Sequence, residues 1–362
     1  MLHNHNSDSS VLICTPDYPP KLGGLSTFTL NIESVLKDLG IKYDLFVWKN
    51  QSEIKSLSEK QGLPYKEMIH IHGLSYQILS RTKKYSNDRV KHFNFFHGSE
   101  ILFKGRNLLF TLFKKLMRPM ALKQFEMAYA NISISEFTQK QLVSQGYSIR
   151  YDRDYILHNG IQLDRDSSFV PKSLEEDTWS FICMARDVPH KNAEGVKELL
   201  KICSQITHKK IILYSGFDLE ENSLFEHRSI KNIDNDELKK IYQKCHFNLL
   251  LSLDHSSQGF YEGFGLTVLE AGQYGTPSIV SPFGGLPEAC HDKKTGWVLK
   301  LDAQTMRDFF VQLNEKDYQA ICARVYQHTK ISHSLDIYHR LFSHLLEQGS
   351  KESILSSSRN LQ

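Results

Sequence analysis

At 362 residues the chain is long enough for two domains of ordinary size, each with its own core. It is 40% hydrophobic and 23% charged with a net charge of only +3, which excludes a disordered chain and gives no footprint for a nucleic acid partner. No run reaches the roughly 18 apolar residues of a membrane span, and the polar start, MLHNHNSDSS, lacks an apolar leader core and reads as a frayed tail carrying His3 and His5.

Short β-rich runs alternate with helical patterns through both halves, which predicts parallel α/β units. In the first half the strand-like runs are 11–14, 43–47, 69–71, 92–96, 132–134 and 155–157. In the second they are 180–184, 210–214, 247–251, 278–280 and 297–299. Between the halves, RDSSFVPKSLEEDT (165–178) is polar, holds a proline and has no periodicity, so it reads as a linker. The pattern predicts two Rossmann-like domains facing a cleft, 1–165 and 175–333, with a tail that frays after about Glu347. Six scattered cysteines form no CxxC pair, and several sit in apolar runs, as buried reduced thiols do.

The first strand runs into Gly23-Gly24 and then an amphipathic helix, 28–39. That order puts free amides at the carboxyl edge of a sheet, where α/β proteins bind ligands, although a glycine pair alone is equally a tight turn. His97 also follows an apolar strand, where it can meet a substrate hydroxyl or serve as a structural hydrogen-bonder. Residues 1–160 carry a net charge of about +7 and the remainder about −4. Much of that excess lies between Ile101 and Lys123, where Lys104, Arg106, Lys114, Lys115, Arg118 and Lys123 alternate with Leu, Phe and Met at helical spacing. Such a helix can lie on an anionic membrane surface or pack as an ordinary domain helix.

In the second half Arg186 and Lys191 follow a strand and are spaced to neutralise a diphosphate together, a planar fork beside a point charge. Three Asp-x-Asp triplets (152/154, 164/166 and 234/236) are the arrangement that can hold a divalent ion, but Asp234 reads as a helix cap and no metal site is expected. The most informative stretch is Glu262-Gly-Phe-Gly-Leu-Thr-Val-Leu-Glu270. A glycine-rich turn opening a helix leaves amides bare beside the positive end of the macrodipole, which suits phosphate. Carboxylates repel phosphate and need hydroxyl donors, above all Glu270 among Val268, Leu269 and Ala271. A ligand offering phosphates and hydroxyls together is a nucleotide sugar.

On these residues the chain resembles the retaining GT-B glycosyltransferases of family four. The resemblance rests on Glu262 and Glu270 with the continuation to Gly275 and Pro277, on Gly284-Gly285 and Glu288, and on Arg186, Lys191, the turn His158-Asn159-Gly160-Ile161 and His97. It implies two Rossmann-like domains around an interdomain cleft, with a last helix (334–348) crossing back onto the N-terminal domain. It implies Arg186 and Lys191 on the diphosphate, backbone amides of Phe264, Gly265 and Leu266 on phosphate or sugar, Glu270 on the ribose and Glu262 on the transferred sugar. Gly23, Gly24 and His97 would approach from the acceptor-binding N-terminal domain. The implied activity is metal-independent, cofactor-free, retaining transfer of a hexose or N-acetylhexosamine from a nucleotide sugar, UDP-linked rather than GDP-linked. The acceptor would be a glycan, lipid-linked or lipopolysaccharide-type, in surface polysaccharide synthesis. The setting would be cytoplasmic, peripheral on the inner face of the membrane. One departure is the interval 254–261, which separates the strand from Glu262 more widely than in most relatives. A nucleotide-sugar epimerase, a glycoside phosphorylase and an inactive nucleotide-sugar-binding partner are the competing readings.

Overall fold

The β-branched and aromatic runs of each half pair side by side, and their near-continuous apolar character reflects burial on both faces. The computed structural model describes residues 2–3, 9–20, 23–59, 65–103, 108–164, 169, 171–219, 224–231 and 233–347. Lys104, Arg106, His5, Asp166, the start of the expected linker and the expected frayed tail lie outside them.

The first sheet holds β1 (Leu2–His3), β2 (Val11–Thr15), β3 (Tyr43–Val47), β4 (Glu67–His70), β5 (Lys91–Phe96), β6 (Ala130–Ser133) and β7 (Asp154–Ile156). Their order is β1-β3-β2-β4-β5-β6-β7, parallel throughout except for β1. The second holds β8 (Thr178–Cys183), β9 (Lys210–Ser215), β10 (Glu226–Ser229), β11 (Phe247–Leu250), β12 (Ser278–Val280) and β13 (Gly296–Val298). It is parallel throughout in the order β10-β9-β8-β11-β12-β13, so the strand order reverses beside β8 and a crevice opens at its carboxyl end. Two strands went unread in the sequence. β10 is polar and sits at the sheet edge, so no apolar run marks it. The start of the chain is no simple tail either: Leu2 pairs with Phe46 and His3 with Leu45, antiparallel.

The helices are α1 (Gly24–Asp38), α2 (Gln51–Glu59), α3 (Gly73–Leu79), α4 (Leu108–Met127), α5 (Glu136–Ser144), α6 (Ala193–Thr207), α7 (Asn235–Lys244), α8 (Leu266–Gly272), α9 (Leu286–Ala289), α10 (Ala303–Gln312), α11 (Glu315–Ser332) and α12 (Asp336–Glu347). Side-chain caps define their starts. Ser135 accepts from the Thr138 amide, Asn192 from Gly195, Asp234 from Glu237 and Asp302 from Thr305. Asp234 is thus the cap its position suggested. The other described aspartates of the triplets are also engaged: Asp154 is gripped by Arg150, Asp152 pairs with Arg153, and Asp164 and Asp236 both meet Lys239.

Each sheet carries its own core. The second centres on Trp179, Phe181, Phe247, Trp297 and Tyr318. The first includes Phe28, Ile32, Phe93 and Phe95, and also Tyr338, Leu341, Phe342 and Leu345 of α12. The last helix therefore returns from the second unit to the first, held by side chains whose full burial is worth about 1.5–3 kcal/mol each. All six cysteines are buried and unbridged.

The basic stretch departs from its expected bounds. A short 3-10 turn, Ser99–Ile101, precedes α4, which continues past Lys123 to Met127 with Pro119 inside it. Leu108, Leu109, Leu112 and Leu116 are 53–79% exposed, while Lys114 turns inward to donate to the Leu102 carbonyl at 2.9 Å.

Candidate functional site

The glycine-rich turn after β11 and the loop after β12 pack backbone against backbone, and only glycine permits it. A Cβ on Gly284 would lie 2.2 Å from the Glu262 carbonyl oxygen, and one on Gly285 2.1 Å from that of Gly263. Gly265 caps α8 with φ +100°, a left-handed conformation that suits glycine, and a Cβ there would press Leu286 at 2.8 Å. The amides of Phe264, Gly265 and Leu266 meet no acceptor among the described residues. The Phe264 ring itself is buried, against His158 and His333.

Lys191 lies at the end of a 3-10 turn, Pro189–Lys191, and its ammonium pairs directly with the Glu262 carboxylate. Both side chains are mostly covered, 16% and 17% exposed, so the pair is far less screened than a surface one. The sequence reading put Lys191 on phosphate and Glu262 on sugar and did not foresee that they hold each other. Next to them, His190 stacks on Phe260 at 5.6 Å and accepts the Leu253 amide on its backbone carbonyl at 2.8 Å. The 254–261 interval is thereby folded over the cation turn. Burial, then Lys191, lowers the His190 pKa, and Glu262, Arg186 and His255 also act on that ring. Arg186 belongs to the same cluster, exposed, with no ion pair among the described residues.

Glu270 stands apart. Its carboxylate accepts from the Tyr242 hydroxyl at 3.0 Å, and burial raises its pKa while that bond lowers it in part. Neither Lys191 nor Glu262 reaches it, and Tyr242 is a partner the sequence did not advertise.

The first domain meets this turn backbone to backbone. A Cβ on Gly263 would fall 1.9 Å from the His97 carbonyl oxygen, and one on Gly24 3.8 Å from Leu266 Cδ1. Gly23 lies behind, extended at φ 168°, beside Asp17. The His97 amide donates to Glu100 at 2.5 Å, its ring lies edge-on to Phe28 at 4.4 Å, and its Nε2 has no hydrogen-bond partner among the described residues. Burial pushes the imidazole down to about 4, so it is neutral at physiological pH. His97, Gly24, Lys191, Glu262 and the amides of 264–266 are thus gathered where the two units touch.

Sequence reasoning also missed the contacts of α5. Ser135 donates to the Gly263 carbonyl at 2.8 Å, and the Glu136 and Phe137 amides donate to the two oxygens of Glu288 at 2.6 and 2.8 Å. His158 Nε2 lies 3.1 Å from the same carboxylate.

No curated protein sequence matches the chain. Among solved structures it is similar to Anabaena Alr3699/HepE in complex with UDP and glucose, at 13% identity over 94% of this chain and all of that one, with a TM-score of 0.66. It is also similar to sucrose-phosphate synthase from Thermosynechococcus elongatus (13%, 94% and 98%, TM-score 0.70). A third is the lipopolysaccharide outer core galactosyltransferase WaaB (16%, 94% and 99%, TM-score 0.64). Residues 164–308 match the family model described as "Glycosyl transferases group 1", and the chain as a whole has the GT-B fold of these transferases.

Proposed function

We propose that the protein is a retaining glycosyltransferase that moves a hexosyl or N-acetylhexosaminyl group from a nucleoside diphosphate to a hydroxyl of a glycan acceptor. UDP is the favoured carrier, since HepE of the same fold is bound to UDP and glucose. The observation that carries the reading is the Lys191–Glu262 pair beside the bare amides of 264–266, opposite Gly24 and His97. Diphosphate takes the place of Glu262 on Lys191, and sugar hydroxyls take the place of Lys191 on Glu262. One ligand with both groups satisfies both partners, which a free phosphate or a free sugar does not.

As the bond from the anomeric carbon to the phosphate oxygen breaks, negative charge collects on the leaving group. Lys191, Arg186 and the amides form a fixed field for that charge, and neutralisation by side chains needs no metal ion. The acceptor oxygen attacks on the face the phosphate leaves, and its proton passes to the departing phosphate oxygen. Glu270 takes the ribose hydroxyls, and neutral His97 takes a hydroxyl of the transferred sugar. The acceptor, lipid-linked or lipopolysaccharide-type in this reading, enters beside the first sheet. α4 rests on an anionic membrane surface with its leucines in the lipid and Lys115 and Lys123 at the headgroups.

A thermal-shift panel of UDP-, GDP- and ADP-sugars with wild type and Lys191→Ala tests this. A UDP-sugar at 100 times its Kd should add about 2.7 kcal/mol of stability to wild type. Lys191→Ala should lower kcat by about 100-fold, the scale for one such donor. No shift with any nucleotide sugar, or full activity of the variant, defeats the assignment; binding without transfer leaves a nucleotide-sugar-binding partner instead.

A further inference from the structure

The carboxylate of Glu288 spans the two units. It belongs to α9, next to β12 of the second sheet, yet both its oxygens sit on the first turn of α5 in the first. The first amides of a helix have no partner within it and carry the positive end of its dipole, so a carboxylate there is held by charge as well as by two hydrogen bonds. Burial would raise its pKa, but the bonds from His158, Phe137 and Glu136 outweigh that and leave it below its ordinary value. The same helix start holds a second point: Ser135, its cap, grips the Gly263 carbonyl. These two points are one mechanical unit, because the Gly285 amide donates to the Glu262 carbonyl at 3.0 Å and the two loops interlock without room for a Cβ. Phe137 packs edge-on to Tyr261 at 5.1 Å, immediately before Glu262.

We propose that Glu288 is a positioning residue, a latch whose seat on α5 holds the two domains closed and thereby orients Glu262 for the transferred sugar. It touches neither donor nor acceptor and acts through the 262–265 turn. The activity side of this inference rests on the function proposed above; the closure side does not.

The experiment uses the full chain with Glu288→Gln, which keeps the shape and loses the charge, and Glu288→Ala. Small-angle scattering of the ligand-free proteins should give both variants a larger radius of gyration than wild type. Their kcat should fall about tenfold or more while the Kd for UDP stays within about threefold, because the nucleotide contacts lie in the second domain. Equal radii in variants and wild type overturn the latch. So does an unchanged kcat, or a UDP affinity that falls in parallel with kcat, which marks a collapsed donor loop. Should wild type transfer no sugar at all, the proposed function fails, and the scattering comparison still decides the latch.

Discussion

Glu270 is a carboxylate in surroundings that disfavour its charge. Its pKa is raised by burial, so the folded chain resists ionising it more than the unfolded chain does, and above about 4.5 it subtracts from stability. If ribose hydroxyls bind the ionised form, nucleotide affinity must fall as pH drops through that raised value. Glu270→Gln should therefore raise Tm at pH 7, weaken UDP about tenfold, and flatten the pH dependence of binding above about pH 4.5. Calorimetric titration of UDP across that range decides it. Equal affinity in variant and wild type would remove Glu270 from the nucleotide site. The need for a donor was legible from Val268, Leu269 and Ala271 around it. Tyr242 was not, because a tyrosine 28 positions earlier on another helix has no pattern linking it to Glu270.

At the scale of elements, α4 carries Leu108, Leu109, Leu112 and Leu116 outward, against the usual arrangement of a domain helix. Among its described side chains Ala121, Gln124 and Phe125 are buried, whereas the leucines of its first half are not. Among the described residues no helix is long and apolar enough to cross a membrane, and an interfacial position is what such a face fits. Leu112→Glu with Leu116→Glu should cut cosedimentation with phosphatidylglycerol vesicles at least about tenfold, at roughly 1.5 kcal/mol or more per leucine withdrawn from lipid. Residual binding of wild type should weaken with salt. Equal pelleting with purely zwitterionic vesicles would discard the membrane surface as partner. The sequence announced a basic amphipathic stretch here but not its facing, since periodicity gives the width of an apolar stripe and not what lies opposite.

Across the whole molecule, buried imidazoles set the response to acid. Burial pushes His333 down to about 3 and His92 and His97 to about 4, and it lowers His70, His291 and His328 as well. Each has an ordinary value of 6.5, so as pH falls below that the unfolded chain takes up protons the folded chain refuses. Their contribution is intact above about 6.5 and is lost progressively toward about 4. Tm should fall steadily from pH 7 to pH 5, where ordinary carboxylates remain ionised. A flat Tm over that interval would contradict the burial of these rings. The alternating elements, the Asp234 cap and the glycine-rich turns were readable because each is a local pattern. The Lys191–Glu262 pair spans 71 residues and the Glu288–Phe137 bond 151, and such meetings exist only once both sheets are built. The polar edge strand β10 escaped notice for a related reason, since an edge needs no apolar run.

The polypeptide passes between its two lobes twice, and the passages lie against each other. The Ile161 amide donates to the His333 carbonyl at 2.8 Å, His333 Nδ1 lies 2.9 Å from the Asn159 carbonyl, and the Gly160 amide donates to the Tyr338 hydroxyl at 2.9 Å. A Cβ on Gly160 would sit 2.7 Å from the Ser334 carbonyl oxygen, so the two segments cannot be spread by any larger residue without breaking contact. Two fastened threads permit rotation about the line they define and resist sliding. A relative movement of the two lobes that kept these contacts would be a swing about a single axis, like a book turning on its spine.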